Sequence, residues 1–157
     1  MSRSFRIVAL PRERFARLFE MNDSQLATQG ARRMRVDNHP GFPCRVSLED
    51  AAIGERVILL PFAHHDVDSP YRAQGPIFIR ESARTADIPP NEVPTMLRHR
   101  LLSLRGYSAD AMMRNAAVCE GDIVEKAIVD FFADPDIAYV HVHNARPGCF
   151  NCEVRRA

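Results

Sequence analysis

Residues 137–156, IAYVHVHNARPGCFNCEVRR, decide the fold, because they have the pattern of a β-hairpin that closes the chain. Two arms with alternating apolar and polar residues, 137–143 and 149–155, flank the turn-forming segment NARPG. Side chains alternate between the two faces of a strand, so each arm should have one apolar and one polar face.

The two faces of this predicted hairpin separate core residues from candidate site residues. The apolar row that should face the core is Ala138, Val140, Val142, Phe150, Cys152 and Val154. If both arms share that core, His141, His143 and Cys149 lie close together on the polar face. This group is the strongest candidate site in the chain, although it does not by itself identify a reaction.

The length and composition are those of an ordinary soluble protein. A chain of 157 residues predicts a single domain over residues 1–157, with 46% hydrophobic and 26% charged residues. The net charge of +1 gives no global field that would recruit nucleic acid or an anionic membrane. No apolar run approaches the roughly 18 residues of a membrane span, and the N-terminal run at 7–10 is too short for a signal peptide. We therefore expect a cytoplasmic protein with reduced cysteines.

The order of the predicted elements favours an α+β fold. Apolar runs predict about six to eight strands, mostly in hairpin-like succession. Two main helices are predicted, one from Pro11 and one from Asp122. Long polar loops are predicted at residues 63–74 and 82–94. The prediction is a largely antiparallel β-sheet with two main helices and a C-terminal β-hairpin.

Several sequence blocks occur in an order that resembles a bacterial family. The blocks are PCRVSLEDAAIGERVILLPF, PYRAQGPIFIRE, LLSLRGYSADAMM and YVHVHNARPGCF, and the match extends from about Asp23 to the C-terminus. Together they resemble the family named domain of unknown function 1203, which implies a stand-alone bacterial protein and no particular activity. Some relatives carry His-Cys after PCR and Arg in place of His143, whereas this chain has Val46, Ser47 and His143. That departure weakens any metal site shared across the family.

His141 and His143 have a spacing that can hold a metal ion, because imidazoles at i and i+2 share one strand face. Cys149 on the facing arm is the predicted third ligand of such a site. Cys149 and Cys152 form a CxxC sequence, but residues at i and i+3 of a strand point to opposite faces. The alternative is that the histidines bond to neighbouring residues, so the sequence alone assigns no metal and no cofactor.

Cys149 and His141 are the candidate catalytic pair. A thiol becomes a better nucleophile beside cationic or hydrogen-bonding neighbours, and His141, Arg146 or the turn amides could supply these. The alternative is that Cys149 packs as a small hydrophobic residue, which is the common role of a free cysteine. Whether the chain is an enzyme stays open at the level of the sequence.

Arginine and tyrosine residues form a second candidate group. Lys126 is the only lysine, and arginine forks bind carboxylate or phosphate through paired hydrogen bonds. The predicted ligand-binding residues are Tyr71, Arg72, Arg80, Arg100, Arg105, Tyr107, Asn144 and Arg146. If their strands adjoin, these side chains converge near His141 and select a small anion. The alternatives are a coding bias towards arginine and solvated arginines paired with Asp or Glu.

The remaining motifs exclude several classes of function. Residues 64–68, HHDVD, could bind a divalent ion, although most such runs are only solvated. No phosphate-binding glycine loop, no HExxH or GxSxG motif and no basic–aromatic stripe occurs, so no nucleic-acid partner is expected.

Three hypotheses about function follow. The favoured one is a small-molecule binding protein or enzyme that takes an anionic ligand. The second is a non-catalytic interaction module that forms a homodimer through an exposed sheet edge or apolar patch. The third is a metal-binding protein that uses the closing hairpin.

Overall fold

The computed structural model describes residues 3–157, which form two antiparallel sheets and four short α-helices. The strands are β1 (Phe5–Val8), β2 (Arg32–Arg35), β3 (Arg56–His65), β4 (Ala73–Arg80), β5 (Leu101–Tyr107), β6 (Met113–Glu120), β7 (Tyr139–Asn144) and β8 (Phe150–Arg156). The helices are α1 (Ala16–Phe19), α2 (Asp23–Thr28), α3 (Thr95–Arg98) and α4 (Val124–Phe131). The α+β class, the antiparallel pairing, the number of strands and the C-terminal hairpin are confirmed.

The closing hairpin, β7 and β8, lies inside a five-stranded sheet with the strand order β1-β8-β7-β5-β6. Val140 lies opposite Val154, and Val142 lies opposite Cys152. All four side chains are buried in one cluster with residues of α3 and α4. The alternation of the two arms therefore places these four side chains of the apolar row against the helices. The histidines lie on the opposite face of the sheet.

Helix α4 covers the apolar row because Val124, Ile128 and Phe131 recur on one face of the helix and are buried there. It is the only helix in residues 3–157 with seven residues or more. None of the helices in this described part of the chain is long and apolar enough to cross a membrane.

The helix predicted from Pro11 is interrupted in the structure. A 3-10 turn at Arg12–Arg14 is followed by the four-residue α1. Helix α2 begins with a capping box, in which Asn22 and Gln25 each accept a hydrogen bond from the other's backbone N–H. Short capped segments of this kind depend on tertiary packing, because helices of fewer than about 12 residues are marginal on their own.

The second sheet has the strand order β2-β3-β4, and its central strand is longer than predicted. Strand β3 continues to His65, with a β-bulge in its pairing to β4 between Phe62 and His65. The predicted loop at residues 63–74 is therefore wrong at its start, because both histidines of the HHDVD motif belong to the strand. The three-residue extension brings His64 and His65 to the five-stranded sheet.

The polar face of the hairpin meets this second sheet through an aromatic contact. A β-bulge in the β7–β8 pairing between Val142 and His143 places Phe150 opposite His143. Phe150 therefore leaves the predicted apolar row and joins the core of the other sheet, with its ring 6.4 Å from that of Phe62. An extra residue in one strand changes which face the following side chains occupy, and the period-two prediction fails there.

Candidate metal centre

Three histidines from the two sheets converge in the space between them. His141 and His143 come from β7 and are 2% and 1% exposed, while His64 comes from the end of β3 and is half-buried. One ring nitrogen of each imidazole lies within 4.8 Å of those of the other two. The His64 ring stacks on Phe150 with 5.3 Å between ring centroids and 7° between planes, which fixes its orientation.

Each imidazole of this triad, His64, His141 and His143, has a buried ring nitrogen for which the described residues supply no hydrogen-bond partner. These atoms are Nδ1 of His64, Nδ1 of His141 and Nε2 of His143. A buried polar atom without a partner costs about 1–3 kcal/mol, so such atoms are rare in folded proteins and require an explanation. Three of them in one small cluster are atoms that could accept a bound ion or a small ligand.

The hydrogen bonds at the other ring nitrogens determine the tautomers. Nδ1–H of His143 donates to the backbone carbonyl of Gly148 at 2.9 Å, so Nε2 carries the lone pair. Nε2–H of His141 donates to Oε1 of Glu153 at 3.3 Å, so Nδ1 carries the lone pair. A carbonyl or carboxylate behind a histidine is the usual outer-shell arrangement for a metal ligand, because it orients the ring and raises its basicity.

The protonation state of the triad also suits a cation. Burial lowers the pKa of His143 to about 3 and that of His64 to about 4, and it also lowers the pKa of His141. The guanidinium of Arg105 and the neighbouring histidines make smaller contributions to these same pKa shifts. The three rings are therefore neutral near pH 7, which is the state in which imidazole binds a metal ion.

Glu153 is ionised behind His141. Although burial raises its pKa, hydrogen bonds from His141 and Arg155 hold the pKa of this carboxyl below its ordinary value. Arg155 Nε donates to Oε2 of Glu153 at 2.6 Å, which leaves Oε1 for His141. The carboxylate therefore acts as a hydrogen-bond acceptor for His141, and it would supply a counter-charge to a cation held by that ring.

The metal-free protein should lose stability in acid because of the triad. An unfolded histidine has the ordinary pKa of 6.5, whereas the pKa values of folded His64 and His143 are about 4 and about 3. Between these limits the unfolded chain binds more protons, so the free energy of unfolding should fall as the pH drops below 6.5, and stay level above it. Urea unfolding in EDTA at pH 7.5 to 4.5 measures this. His143→Gln should make the decline shallower, and equal slopes in both proteins would contradict the prediction.

The triad is close to the geometry of a metal site with three protein ligands. Zn²⁺ binds imidazole nitrogen at about 2.0–2.1 Å in a tetrahedron, which places ligand nitrogens about 3.4 Å apart. Nitrogens up to 4.8 Å apart reach that spacing if each moves inward by about 1 Å or less. Three protein ligands leave the fourth position for water or another small ligand, which is typical of catalytic rather than structural zinc. A 590 Å³ surface pocket that includes His64, His141 and Glu153 in its lining provides access.

Aromatic and hydrogen-bonding residues surround one side of the triad. Nδ1–H of His65 donates to the carbonyl of Tyr71 at 2.8 Å, and the hydroxyl of Tyr139 donates to Nε2 of His65 at 2.7 Å. Burial, with the nearby charge of Glu153, raises the pKa of Tyr139 to about 12, so this hydroxyl remains a donor. The Tyr107 ring packs on Tyr139 with 5.4 Å between centroids.

Part of the predicted arginine and tyrosine group does lie near His141. Arg105 is directly opposite His141 in the β5–β7 pairing and interacts with the Tyr107 hydroxyl. Tyr107 lies 5.4 Å from His141 between ring centroids, and Tyr71 lies 6.1 Å from Tyr107. The triad therefore has a cation beside it, which favours a negatively charged ligand on any bound metal ion.

Other predicted site residues are in structural ion pairs. Arg72 is exposed and pairs with Asp66 at 3.0 Å. Arg80 pairs with Glu55 at 2.9 Å and with Glu49 at 3.2 Å, which joins the end of β4 to the neighbouring loop. Arg72 and Arg80 therefore follow the alternative prediction, in which the arginines are paired with Asp or Glu.

Cys149 does not lie with the histidines. Its sulfur accepts a hydrogen bond from the Asn144 side chain at 3.5 Å and contacts the Arg45 guanidinium. Together with Arg100 and Arg146, these residues line a different pocket. His64 lies beside His141 and His143 in the place predicted for Cys149. The HHDVD motif was the only signal in the sequence that pointed to His64.

The family described as Protein of unknown function (DUF1203) matches residues 41–156. The chain belongs to this family. The DUF1203 match includes the three histidines of the triad, Arg45 and Cys149. No curated protein and no solved structure matches the chain.

Proposed function

We propose that this protein binds a divalent first-row transition-metal ion through His64, His141 and His143. Two observations carry the proposal: one ring nitrogen of each histidine lies within 4.8 Å of one on each of the others, and each ring has a buried nitrogen without a hydrogen-bond partner among the described residues. The hydrogen bonds of His141 to Glu153 and of His143 to Gly148 support it, because they fix both rings and leave a lone pair on the other nitrogen of each.

The ligand set limits the choice of ion. Neutral imidazole suits zinc, copper, iron and nickel, whereas magnesium and calcium prefer oxygen ligands. A site with three nitrogens and one open position also binds Co²⁺, which serves as a spectroscopic substitute for zinc. Zinc is the reference ion for the experiments, and the proposal does not extend to a reaction.

A cobalt titration tests the proposal. Protein without a histidine tag is treated with EDTA, dialysed and titrated with Co²⁺, and visible absorption is recorded at each addition. We expect saturation at one equivalent and release of cobalt by zinc. The site predicted from sequence, with His141, His143 and Cys149, would add a strong thiolate-to-cobalt band in the near ultraviolet, and the triad would not. Absence of any saturable cobalt or zinc binding would refute the proposal.

Glu153 should tune the affinity without binding the ion. Glu153→Gln keeps an oxygen that accepts from His141 but removes the negative charge, so zinc should bind about 10–100-fold more weakly. Competition with a chromophoric chelator measures the dissociation constant. Glu49→Gln is the matched control, because Glu49 is exposed and pairs with Arg80 away from the triad. Equal affinities in both variants would show that Glu153 has no outer-shell role.

The homodimer remains a prediction, and the exposed edge strand β6 is a surface through which it could form. Strand β6 is at the edge of the five-stranded sheet, and its Val118 is 63% exposed. An unpaired edge strand offers backbone hydrogen bonds to a second copy. Light scattering at high micromolar concentration should show a dimer if β6 is used, and a strict monomer would contradict this prediction.

A bacterial source, a cytoplasmic location and the absence of nucleic-acid and membrane partners remain predictions. Three of the eight residues predicted to bind the anionic ligand, Arg100, Asn144 and Arg146, line the other pocket, together with Cys149.

A further inference from the structure

A second pocket has a buried positive charge at its base. Arg45 is 1% exposed, and no carboxylate within residues 3–157 lies at ion-pair distance from it. Its guanidinium donates to the carbonyls of Phe150 (2.7 Å) and Pro43 and to the sulfur of Cys149. Burial lowers the pKa of Arg45 and the cysteine opposes this, which shows the cost of an unpaired buried charge.

The Arg45 guanidinium has more donors than the protein has acceptors around it. A guanidinium carries five N–H groups, and the described residues supply three acceptors, two carbonyls and a thiol. Only the thiol among these can become an anion. The site is therefore short of negative charge and of acceptors, and a ligand with a carboxylate supplies both.

The charges around the pocket indicate a monoanion. The charged side chains that line it or pair with its lining are Arg45, Arg100, Arg146, Asp50 and Glu120. Asp50 is nearly buried and neutralises Arg100 at 2.5 Å. Three guanidiniums against two carboxylates leave one positive charge, which a monocarboxylate balances and a phosphate dianion exceeds.

The rest of the pocket suits a ligand with an apolar body. It is open to solvent, has a volume of about 650 Å³ and has Leu59, Pro76, Phe78 and Pro147 in its walls. Proline rings and a phenylalanine ring give a rigid apolar surface, and burial of a small aromatic or branched group against it is favourable. Cys149 lines the same pocket as these apolar residues and contacts Arg45.

We propose that this pocket, here named the Cys149 pocket, binds a small organic monocarboxylate whose carboxylate group lies at Arg45 and Arg146, beside the Cys149 sulfur. Arg146 is in the exposed turn of the closing hairpin, with no ion pair within the described residues, and provides a second fork at the entrance. Cys149 thus belongs to an anion site and not to the metal site.

The reagents iodoacetate and iodoacetamide test this directly. Both alkylate a thiolate: the sulfur attacks the methylene carbon, a C–S bond forms, the C–I bond breaks, iodide leaves with the electron pair, and the thiol proton passes to buffer. Iodoacetate is a monocarboxylate and iodoacetamide is its neutral analogue. Their rates at each cysteine are measured by mass spectrometry on EDTA-treated protein, with 2-mercaptoethanol as the reference thiol.

We expect the iodoacetate-to-iodoacetamide rate ratio at Cys149 to exceed that of the reference thiol by at least tenfold. Cys119 is the internal control, since it is also half-buried but lies beside Glu120 and Asp122, which disfavour an anionic reagent. Benzoate should protect Cys149 from iodoacetamide and leave Cys119 unprotected, and inorganic phosphate should protect less. A ratio at Cys149 no higher than the reference, or protection by phosphate but not by benzoate, would overturn the assignment.

Arginine variants locate the anion within the pocket. Arg146→Gln is exposed and should fold, and it should lower the Cys149 ratio at least threefold. Arg72→Gln is the matched control, an exposed arginine paired with Asp66, and should leave the ratio unchanged. Equal ratios in the wild type and Arg146→Gln would exclude Arg146 as a carboxylate partner. Because EDTA is present throughout, failure here and failure of metal binding are separate results.

Discussion

The variant His143→Gln should lower the affinity for zinc by more than 100-fold, because it removes one of three protein ligands. Loss of an outer-shell partner alone costs about 10–100-fold, and loss of a ligand costs more. In the wild type, zinc at about 1,000 times its dissociation constant stabilises the fold by about 4 kcal/mol. For a domain of this size that raises the melting temperature by about 8–16 °C. At the same zinc concentration, a variant that binds at least 100-fold more weakly should gain about 1.4 kcal/mol or less, so its melting temperature should rise by no more than about 3–6 °C.

His39→Gln is the matched control for this experiment. His39 is exposed and lies outside the triad, so its replacement removes one histidine without touching the converging nitrogens. Its zinc-dependent increase in melting temperature should equal that of the wild type. If zinc stabilised His143→Gln as much as the wild type, zinc would bind elsewhere and the triad would have no role in it.

The sequence predicted one half of this site and missed the other for a physical reason. Period two in β7 placed His141 and His143 on one face, and the structure has them on one face, buried against the second sheet. His64 is far from them in sequence and reaches them only because β3 continues past Phe62. Packing between two sheets depends on strand length and bulges, which a local pattern does not encode.

A single register change in the hairpin decides where Cys149 lies relative to the histidines. The bulge between Val142 and His143 pairs Phe150 with His143, so Phe150 and not Cys149 lies across from the imidazole. Cys149 then belongs to the turn and faces Arg45 and Asn144. Whether Cys149 reacts as a nucleophile stays a prediction, and its neighbours are those of the Cys149 pocket.

Arginine content alone did not identify which arginines bind a ligand. Arg80 and Arg100 have carboxylate partners, whereas Arg45 is buried without one, and its only sequence signal is the PCR block. Pairing between distant residues decides this, since Asp50 is 50 residues from Arg100 in the chain. Composition does not show which arginine is buried, because these long, charged side chains are usually exposed.

The variant Gly121→Ala should cost the fold about 3 kcal/mol, the largest effect on stability expected for a single methyl group here. Gly121 links β6 to the turn before α4, and its N–H donates to the Arg100 carbonyl at 2.8 Å. A Cβ there would lie 1.8 Å from the backbone oxygen of Leu97 in α3. The obstacle is backbone held by its own hydrogen bonds, so the chain itself must move.

Two other glycines make this a graded test of the packing. At Gly106 a Cβ would lie 2.9 Å from side-chain carbons of Phe131 and Ile137, which can shift partly, so Gly106→Ala should cost about 1–2 kcal/mol. At Gly75 nothing lies within 4 Å, and Gly75→Ala should stay within about 0.5 kcal/mol of the wild type. Thermal unfolding in EDTA should place Gly121→Ala about 6–12 °C below the wild type. Because Gly121 packs on the helix side of the five-stranded sheet, the folded Gly121→Ala variant should still bind zinc with wild-type affinity. Equal melting temperatures for all three glycine variants would contradict the packing of α3 against this turn.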